Sequence, residues 1–400
     1  MNTPTPADLK ELVNREFDQM VDIRRAIHRH PEIGFAETAT TSLIADRANT
    51  IGLEPLFCPT ETGSVWSLEG GQPGQTVLIR ADIDALPIIE EADEEFASEV
   101  HGVMHACGHD AHTAQLLGAA SALASRAEDL PGRYIFLFQP AEEALGGAKA
   151  MVDGGVLDRL DVAAVIGCHV ASIAPTGLVG VRTGITMADV RTLRIDVHGI
   201  GGHGAAYTAG ANPLLAAAVL STRLEGIVEG MELEGTACAC TAGVLQAGTA
   251  SNVIPSHAHL EGTLRTFTPA QTDAALAGLE ALLGELAEET GCTFSASFGD
   301  HSAAVVNDER ITDVVRTAAT EALGASAVFE MPPVSPSEDF SEFLNRIPGS
   351  FFFVGAGRAD GTSGMHHNPS FAIDEACMPI GATVLAAAAV RAATPLTSAT

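Results

Sequence analysis

The chain has 400 residues, enough for two or three average domains or one large α/β domain with an insertion, and enough to bury a core without disulfide or metal staples. Its 21 basic and 51 acidic side chains leave a formal charge of −30, a field that repels phosphate backbones and anionic leaflets and argues against nucleic-acid binding or peripheral membrane docking. Seven cysteines, an odd number at irregular spacing, argue against a secreted disulfide scaffold; the first residues lack a basic-then-apolar pattern, so a cytoplasmic setting is expected.

Taken in chain order, Leu9, Leu12, Val13, Phe17, Met20, Val21 and Ile27 recur at helical spacing over residues 8–27, just before Pro31. Apolar runs at 76–79, 134–138, 165–168 and, much later, 351–354 read as buried strands. Helical patterns at 111–125, 148–152 and 310–323 lie between or beside them. Strands alternating with helices imply a mostly parallel sheet covered on both faces. The stretch from 187 to 298 reads differently, with strands predicted at 191–198, 236–245, 257–267 and 292–298. One helix is expected at 213–229. A second opens at Thr268-Pro269-Ala270-Gln271, which offers an N-cap, a proline at N1 and a glutamine at N3, and stops near Gly291. The order β-α-β-β-α-β is that of a ferredoxin-like sandwich. The expected fold is therefore an α/β domain over 1–186 and 299–400, interrupted by a small α+β domain over 187–298. The Ala-rich stretch at 379–393 reads as a buried helix.

Each of the four strands runs into a polar cluster at its C-terminal end. These are Arg80-Ala81-Asp82-Ile83-Asp84, Gln139-Pro140-Ala141-Glu142-Glu143, His169, and a Gly-rich loop leading to His366-His367. Ligands of open α/β sheets bind outside the carboxyl ends of the strands, so these clusters share one crevice. A fifth cluster, running from His105 through Cys107 and His109 to His112, precedes a helix. Thiolate and imidazole together suit zinc and other borderline transition metals. Adjacent glutamates diverge, so one of Glu142 and Glu143 can ligate a metal while the other stays an unligated carboxylate, able to take a proton from a water and pass it to a leaving amine.

The chain resembles the N-acyl-amino-acid amidohydrolases that include hippurate hydrolase and the plant indoleacetate-amino-acid hydrolases, relatives of aminoacylase and the glutamate carboxypeptidases. The matching stretches run in order along nearly the whole chain: RAIHRHPE at 25–32, RADIDALP at 80–87, MHACGHDAH at 104–112, FQPAEE at 138–143, HGIGGH at 198–203, NVIP at 252–255, GTLRTF at 262–267, SEDF at 337–340 and HNP at 367–369. The resemblance implies a di-metal exopeptidase-like site with Cys107, His109, Glu143, His169 and His367 as ligands, and Glu142 as general acid/base. Two divalent ions per subunit are implied, zinc or else manganese, cobalt or nickel. It also implies that the inserted domain is a lid that dimerises the protein, as a homodimer or homotetramer. His203 would reach the scissile carbonyl, often that of the partner subunit, and Asn252 and Arg265 would hold the substrate, Arg265 by its carboxylate. The implied activity is hydrolysis of small-molecule N-acyl amino acids. The alternatives are a dipeptidase or carboxypeptidase on the same site, a metal-free hydrolase with Cys107 as nucleophile, or an inactive binding relative.

The chain departs from the family pattern at Tyr207 and Asn212, where proline and aspartate are usual, and at His366, which doubles the single histidine before Asn-Pro. Asp82, Asp84 and Asp110 are candidates for orienting ligand histidines from behind. Cys238 and Cys240, like Cys58, Cys168, Cys292 and Cys377, read as core residues. His28 and His30 carry no assigned chemistry, and His257, His259 and His301 read as surface or lid residues.

Overall fold

The four apolar runs lie side by side and parallel, as the strands Pro131–Gln139, Gln72–Asp82, Val162–Pro175 and Gly349–Gly357 of an eight-stranded sheet. The computed structural model describes residues 3–205 and 210–394. Ser64–Glu69 adds an antiparallel strand outside Pro131–Gln139, and Val179–Val181 adds one outside Gly349–Gly357. The central strands are buried on both faces, which is why they read as continuous apolar runs: Ile135, Phe136, Leu137 and Phe138 have no exposed surface. His109–Ala124 and Cys377–Ala393, both rich in alanine and buried along nearly their whole length, pack with Met20, Ile27 and Trp66 in the same core. The register pairs Asp82 with Gln139 and His169 with Phe353, so the polar clusters emerge along one edge of the sheet. Among the described residues no helix is long and apolar enough to cross a membrane.

The chain divides into two units. The larger holds Met1–Gly184, Val306–Met331 and Asp339–Thr400; the smaller holds Ile185–Val305 and Pro332–Glu338. The segment Pro332–Glu338, expected with the 299–400 part of the larger domain, is thus counted with the smaller. In the smaller unit the antiparallel sheet runs Ala239–Ala247, His257–Thr266, Asp189–His198, Thr293–Ser302, the order that a β-α-β-β-α-β chain produces in a ferredoxin-like sandwich. Its long helix Pro269–Thr290 has the expected ends. Thr268 and Gln271 form a reciprocal capping box, Pro269 is at N1, and Gly291 closes the helix at φ 68°. The first helical pattern, read as continuous over 8–27, is two helices, Pro6–Arg15 and Phe17–Arg29. They break at Glu16, whose N–H turns back to the Val13 carbonyl, with no Gly or Pro to announce it.

His28 ties the second of these helices to the start of His109–Ala124. Its Nδ1 lies 2.8 Å from Asp110 Oδ2 and its Nε2 3.1 Å from Glu90 Oε1, while Arg24 Nε donates to the same Asp110 oxygen at 3.1 Å. Burial pulls His28 down, but Asp110 and Glu90 outweigh it and raise the ring to about 9. A raised folded-state value stabilises fully below the unfolded value of 6.5 and is lost as pH rises through 9. The protein is therefore expected to lose up to about 3 kcal/mol between these limits, at 1.36 kcal/mol per unit. Urea midpoints at pH 6, 7.5 and 9 for the wild type and His28→Gln measure this; equal pH slopes for the two proteins would show His28 to be neutral.

Candidate metal centre

Gly108 separates Cys107 from His109 and opens the helix His109–Ala124 with φ 93°. Only glycine fits, because a Cβ there would lie 2.5 Å from Val170 Cγ2 as well as needing a left-handed backbone. Asp84, at the end of the Gln72–Asp82 strand, does two jobs. Its carboxylate accepts the backbone N–H of Glu142 and of Glu143, both at 3.0 Å, and its carbonyl accepts from His109 Nδ1 at 2.9 Å. From the other side, buried Glu37 accepts the N–H of Ala141 at 2.8 Å and the Thr62 hydroxyl. Ala141 itself has φ 52°, a left-handed conformation costly for a non-glycine residue and held here by these bonds. The twin glutamates thus sit on a turn fixed through its backbone.

The donor atoms gather in overlapping groups, each with all its atoms within 4.8 Å of one another: Cys107, His109 and Glu143; Cys107, His169 and His366; His109, His112 and His169. Hydrogen bonds to the backbone fix which imidazole nitrogen is bare, since an amide N–H only donates and a carbonyl only accepts. His109 and His169 each donate from Nδ1 to a carbonyl, of Asp84 and of Val170, and so keep Nε2 for a metal. His112 is spent at both ends: Nδ1 donates to Asp82 at 2.6 Å and Nε2 accepts the N–H of Val170 at 2.9 Å. His109 Nε2 and Glu143 Oε1 are buried, 3.9 Å apart, and without hydrogen-bond partners; Oε1 also lies 3.2 Å from His367 Nε2. An imidazole nitrogen and a carboxylate oxygen without hydrogen-bond partners, facing a thiol, form a chelating set, so the residues present fit a divalent transition metal.

The electrostatics point the same way. Burial pushes the Cys107 thiol well above its ordinary range, and the Glu143, Glu142 and Asp82 carboxylates add to it. Burial pulls His109 down, yet Asp82, Asp84 and Glu143 overcome this and raise it to about 10, so without a cation the ring holds a second proton at Nε2, in the place a bound metal would take. Burial, with His112 and His366 nearby, holds His169 well below its usual value and keeps its ring neutral. Asp82 stays far below the ordinary carboxylate range because His109, Arg80 and His112 outweigh its burial. Thiol, carboxylates and neutral imidazole around one point supply what a cation needs.

The sequence profile of the peptidase family M20/M25/M40 matches residues 78–391. Thermostable carboxypeptidase 2 of Saccharolobus solfataricus is 35% identical over 390 residues, covering 96% of this chain and 98% of its own. The N-acetyl-L-cysteine deacetylase of Bacillus subtilis is 37% identical over 357 residues, 89% of this chain and 84% of its own. The chain belongs to the M20/M25/M40 peptidase family. It is a metal-dependent amidohydrolase. The crystal structure of the Bacillus subtilis YXEP protein, a dinuclear metal binding peptidase of family M20, superposes with a TM-score of 0.80 at 31% identity, over 94% of this chain and 98% of that one.

In this M20-family chain the structure brings together Cys107, His109, Glu143 and His169, with His367 half-exposed beside Glu143 and Glu142 on the same turn. In the smaller unit His203 and Asn252 are neighbours: the strand Gly202–His203 pairs with Val253–Ile254, and Gly204 N–H donates to the Asn252 carbonyl. Arg265 is not with them. It pairs with Val190 and Ala239 at the far end of its strand, and its guanidinium donates to the Ser335 carbonyl at 3.1 Å. Asn212 has a plain structural duty as N-cap of the helix Pro213–Arg223, its side chain accepting from Leu214 N–H. Tyr207 lies outside the described residues. Of the three aspartates, Asp82 braces His112 and Asp84 braces His109, but Asp110 braces His28, which is no candidate ligand. Sequence reading gave no role to His112, one helical turn after His109, nor to Glu37. It left His366, now 3.7 Å from the Cys107 sulfur, without one.

Proposed function

We propose that the protein hydrolyses the amide bond of N-acyl amino acids, releasing a carboxylic acid and a free amino acid, with Cys107, His109, Glu143, His169 and His367 holding two divalent cations. The observation that carries this is the pair of orphaned atoms, His109 Nε2 and Glu143 Oε1, beside the thiol of Cys107. The sharing of Cys107 between two donor groups supports a pair of ions, and thiolate with imidazole supports zinc ahead of manganese, cobalt or nickel. When bound, such ions acidify water and polarise a carbonyl. The residues supply the rest. Glu142, buried on the turn and outside both the Cys107 groups, takes the proton of the attacking water and returns it to the leaving amine. His203 donates to the developing oxyanion, and Arg265 holds the substrate carboxylate.

The smaller unit constrains how His203 and Arg265 can meet one substrate. His203 and Asn252 lie beyond the His198/His257 end of the sheet, whereas Arg265 is eight residues further along. At ~3.4 Å per residue the two ends are about 27 Å apart. The amide carbonyl and carboxylate carbons of an N-acyl amino acid are only three bonds apart, so one copy of the unit cannot supply both contacts. A homodimer, in which a partner supplies His203, satisfies them.

A panel of N-acetyl, N-benzoyl and dipeptide substrates, run with elemental analysis of the purified protein, tests the reading. N-acyl amino acids are expected to turn over best, phenanthroline to abolish turnover, and about two ions per chain to be found. Faster cleavage of dipeptides would favour the carboxypeptidase reading, to which the Saccharolobus relative's name points. Turnover insensitive to chelators would favour Cys107 as nucleophile.

A further inference from the structure

The doubled histidine raises the question of which ring belongs to the metals. His367 has φ 62°, and its N–H donates to the Ala106 carbonyl. This turn sends the two side chains apart, His367 to Glu143 and His366 to Cys107. The His366 ring is wedged against Phe371, with centroids 4.8 Å apart, and His169, at 5.2 Å. Its Nδ1 lies 3.7 Å from Cys107 Sγ, and its Nε2 faces the backbone N–H of Ser172 at 3.2 Å. By distance alone it belongs to a donor set with Cys107 and His169.

Proton placement decides against ligation. The Ser172 amide can only donate, so His366 Nε2 must be the bare nitrogen. A neutral ring with Nε2 bare carries its hydrogen on Nδ1, the nitrogen that faces the sulfur. Ligation through Nδ1 would move that hydrogen to Nε2 and set one N–H against another. His169 is the opposite case: its Nδ1 donates to the Val170 carbonyl and its Nε2, 3.4 Å from the same sulfur, is bare. One ring beside Cys107 offers a lone pair, and the other offers an N–H.

We propose that His366 is a positioning residue: its Nδ1–H, locked by the Ser172 amide, donates a hydrogen bond to the Cys107 sulfur while that sulfur ligates the metal. The proposal rests on Cys107 being a ligand. An N–H aimed at a metal-bound thiolate withdraws charge from the sulfur and holds its lone pairs in one direction. Removing such a partner costs roughly 10–100-fold in metal affinity without removing a ligand.

The test is cobalt binding to the full-length apoprotein, read by stoichiometry, affinity and the sulfur-to-cobalt charge-transfer band. His366→Leu is expected to bind as many Co²⁺ ions as the wild type, the thiolate-bound one roughly 10–100-fold more weakly, with its band at lower energy. His366→Asn, whose amide nitrogen can take the place of Nδ1, is expected to recover most of both. One ion fewer in both variants would make His366 a ligand and overturn the proposal. So would unchanged affinity and band in His366→Leu, or failure of His366→Asn to recover either. Absence of the band from the wild type, or its survival in Cys107→Ala, would instead remove Cys107 from the metal set, and with it the reading on which this one rests.

Discussion

Glu142→Gln is expected to retain its full complement of metal and lose about 10²–10⁴-fold in kcat, the range that a positioned general base contributes. The two parts of this expectation have separate causes. Metal retention follows because the turn is held by its backbone: the N–H groups of residues 142 and 143 both donate to Asp84, and the N–H of Ala141 donates to Glu37, none of which the substitution touches. Glu143, His109 and Cys107 keep their places. The loss in kcat follows because an amide of the same shape accepts no proton at neutral pH. Elemental analysis, thermal melting and kcat on the best N-acyl substrate give the three readings. A variant within a few-fold of wild-type kcat would take Glu142 out of the base role; one that lost metal as well would place it among the ligands.

What was legible in the sequence follows from what is local. The central strands are buried on both faces, so burial wrote itself as unbroken apolar runs, but those runs marked the strands' middles and not their ends: the strand expected over 165–168 spans Val162–Pro175 and carries His169 within it, not at its end. Cys107 and His109 lie on either side of one glycine, and Glu142 beside Glu143, so both features sit within a few residues. The helix Thr38–Ile51 was missed because its buried positions are Thr40, Ile44 and Ala48, correctly spaced but mostly too small or polar to register as an apolar stripe. Ser64–Glu69 was missed because an antiparallel strand of six residues carries little pattern. The tautomers were illegible for a different reason. Apart from the Val170 carbonyl beside its neighbour His169, they depend on backbone groups far along the chain: Asp84 for His109, Val170 for His112 and Ser172 for His366. A sequence shows that a histidine is present; only the fold shows which of its nitrogens is bare.

That distinction bears on how the site is completed. Cys107→Ala removes the donor common to two groups and is expected to lose metal and, with it, nearly all turnover. His203→Ala leaves those groups intact and is expected to keep metal but lose about 10²–10³-fold in kcat, as when one oxyanion donor is removed. The two defects become informative in one molecule. If His203 acts in the partner's site, a dimer of one Cys107→Ala chain and one His203→Ala chain holds one site with both defects and one with neither. The intact site joins the metals of the His203→Ala chain to the histidine of the other. Such a dimer, isolated through a different tag on each chain, is expected to show roughly half the wild-type rate, one competent site in two. If His203 serves its own chain, each site carries one defect and the mixed dimer is as inactive as its parents. The separation of about 27 Å between the two ends of the smaller unit's sheet is what makes the first outcome the expected one, because Arg265 and His203 of a single copy cannot both reach one small amide.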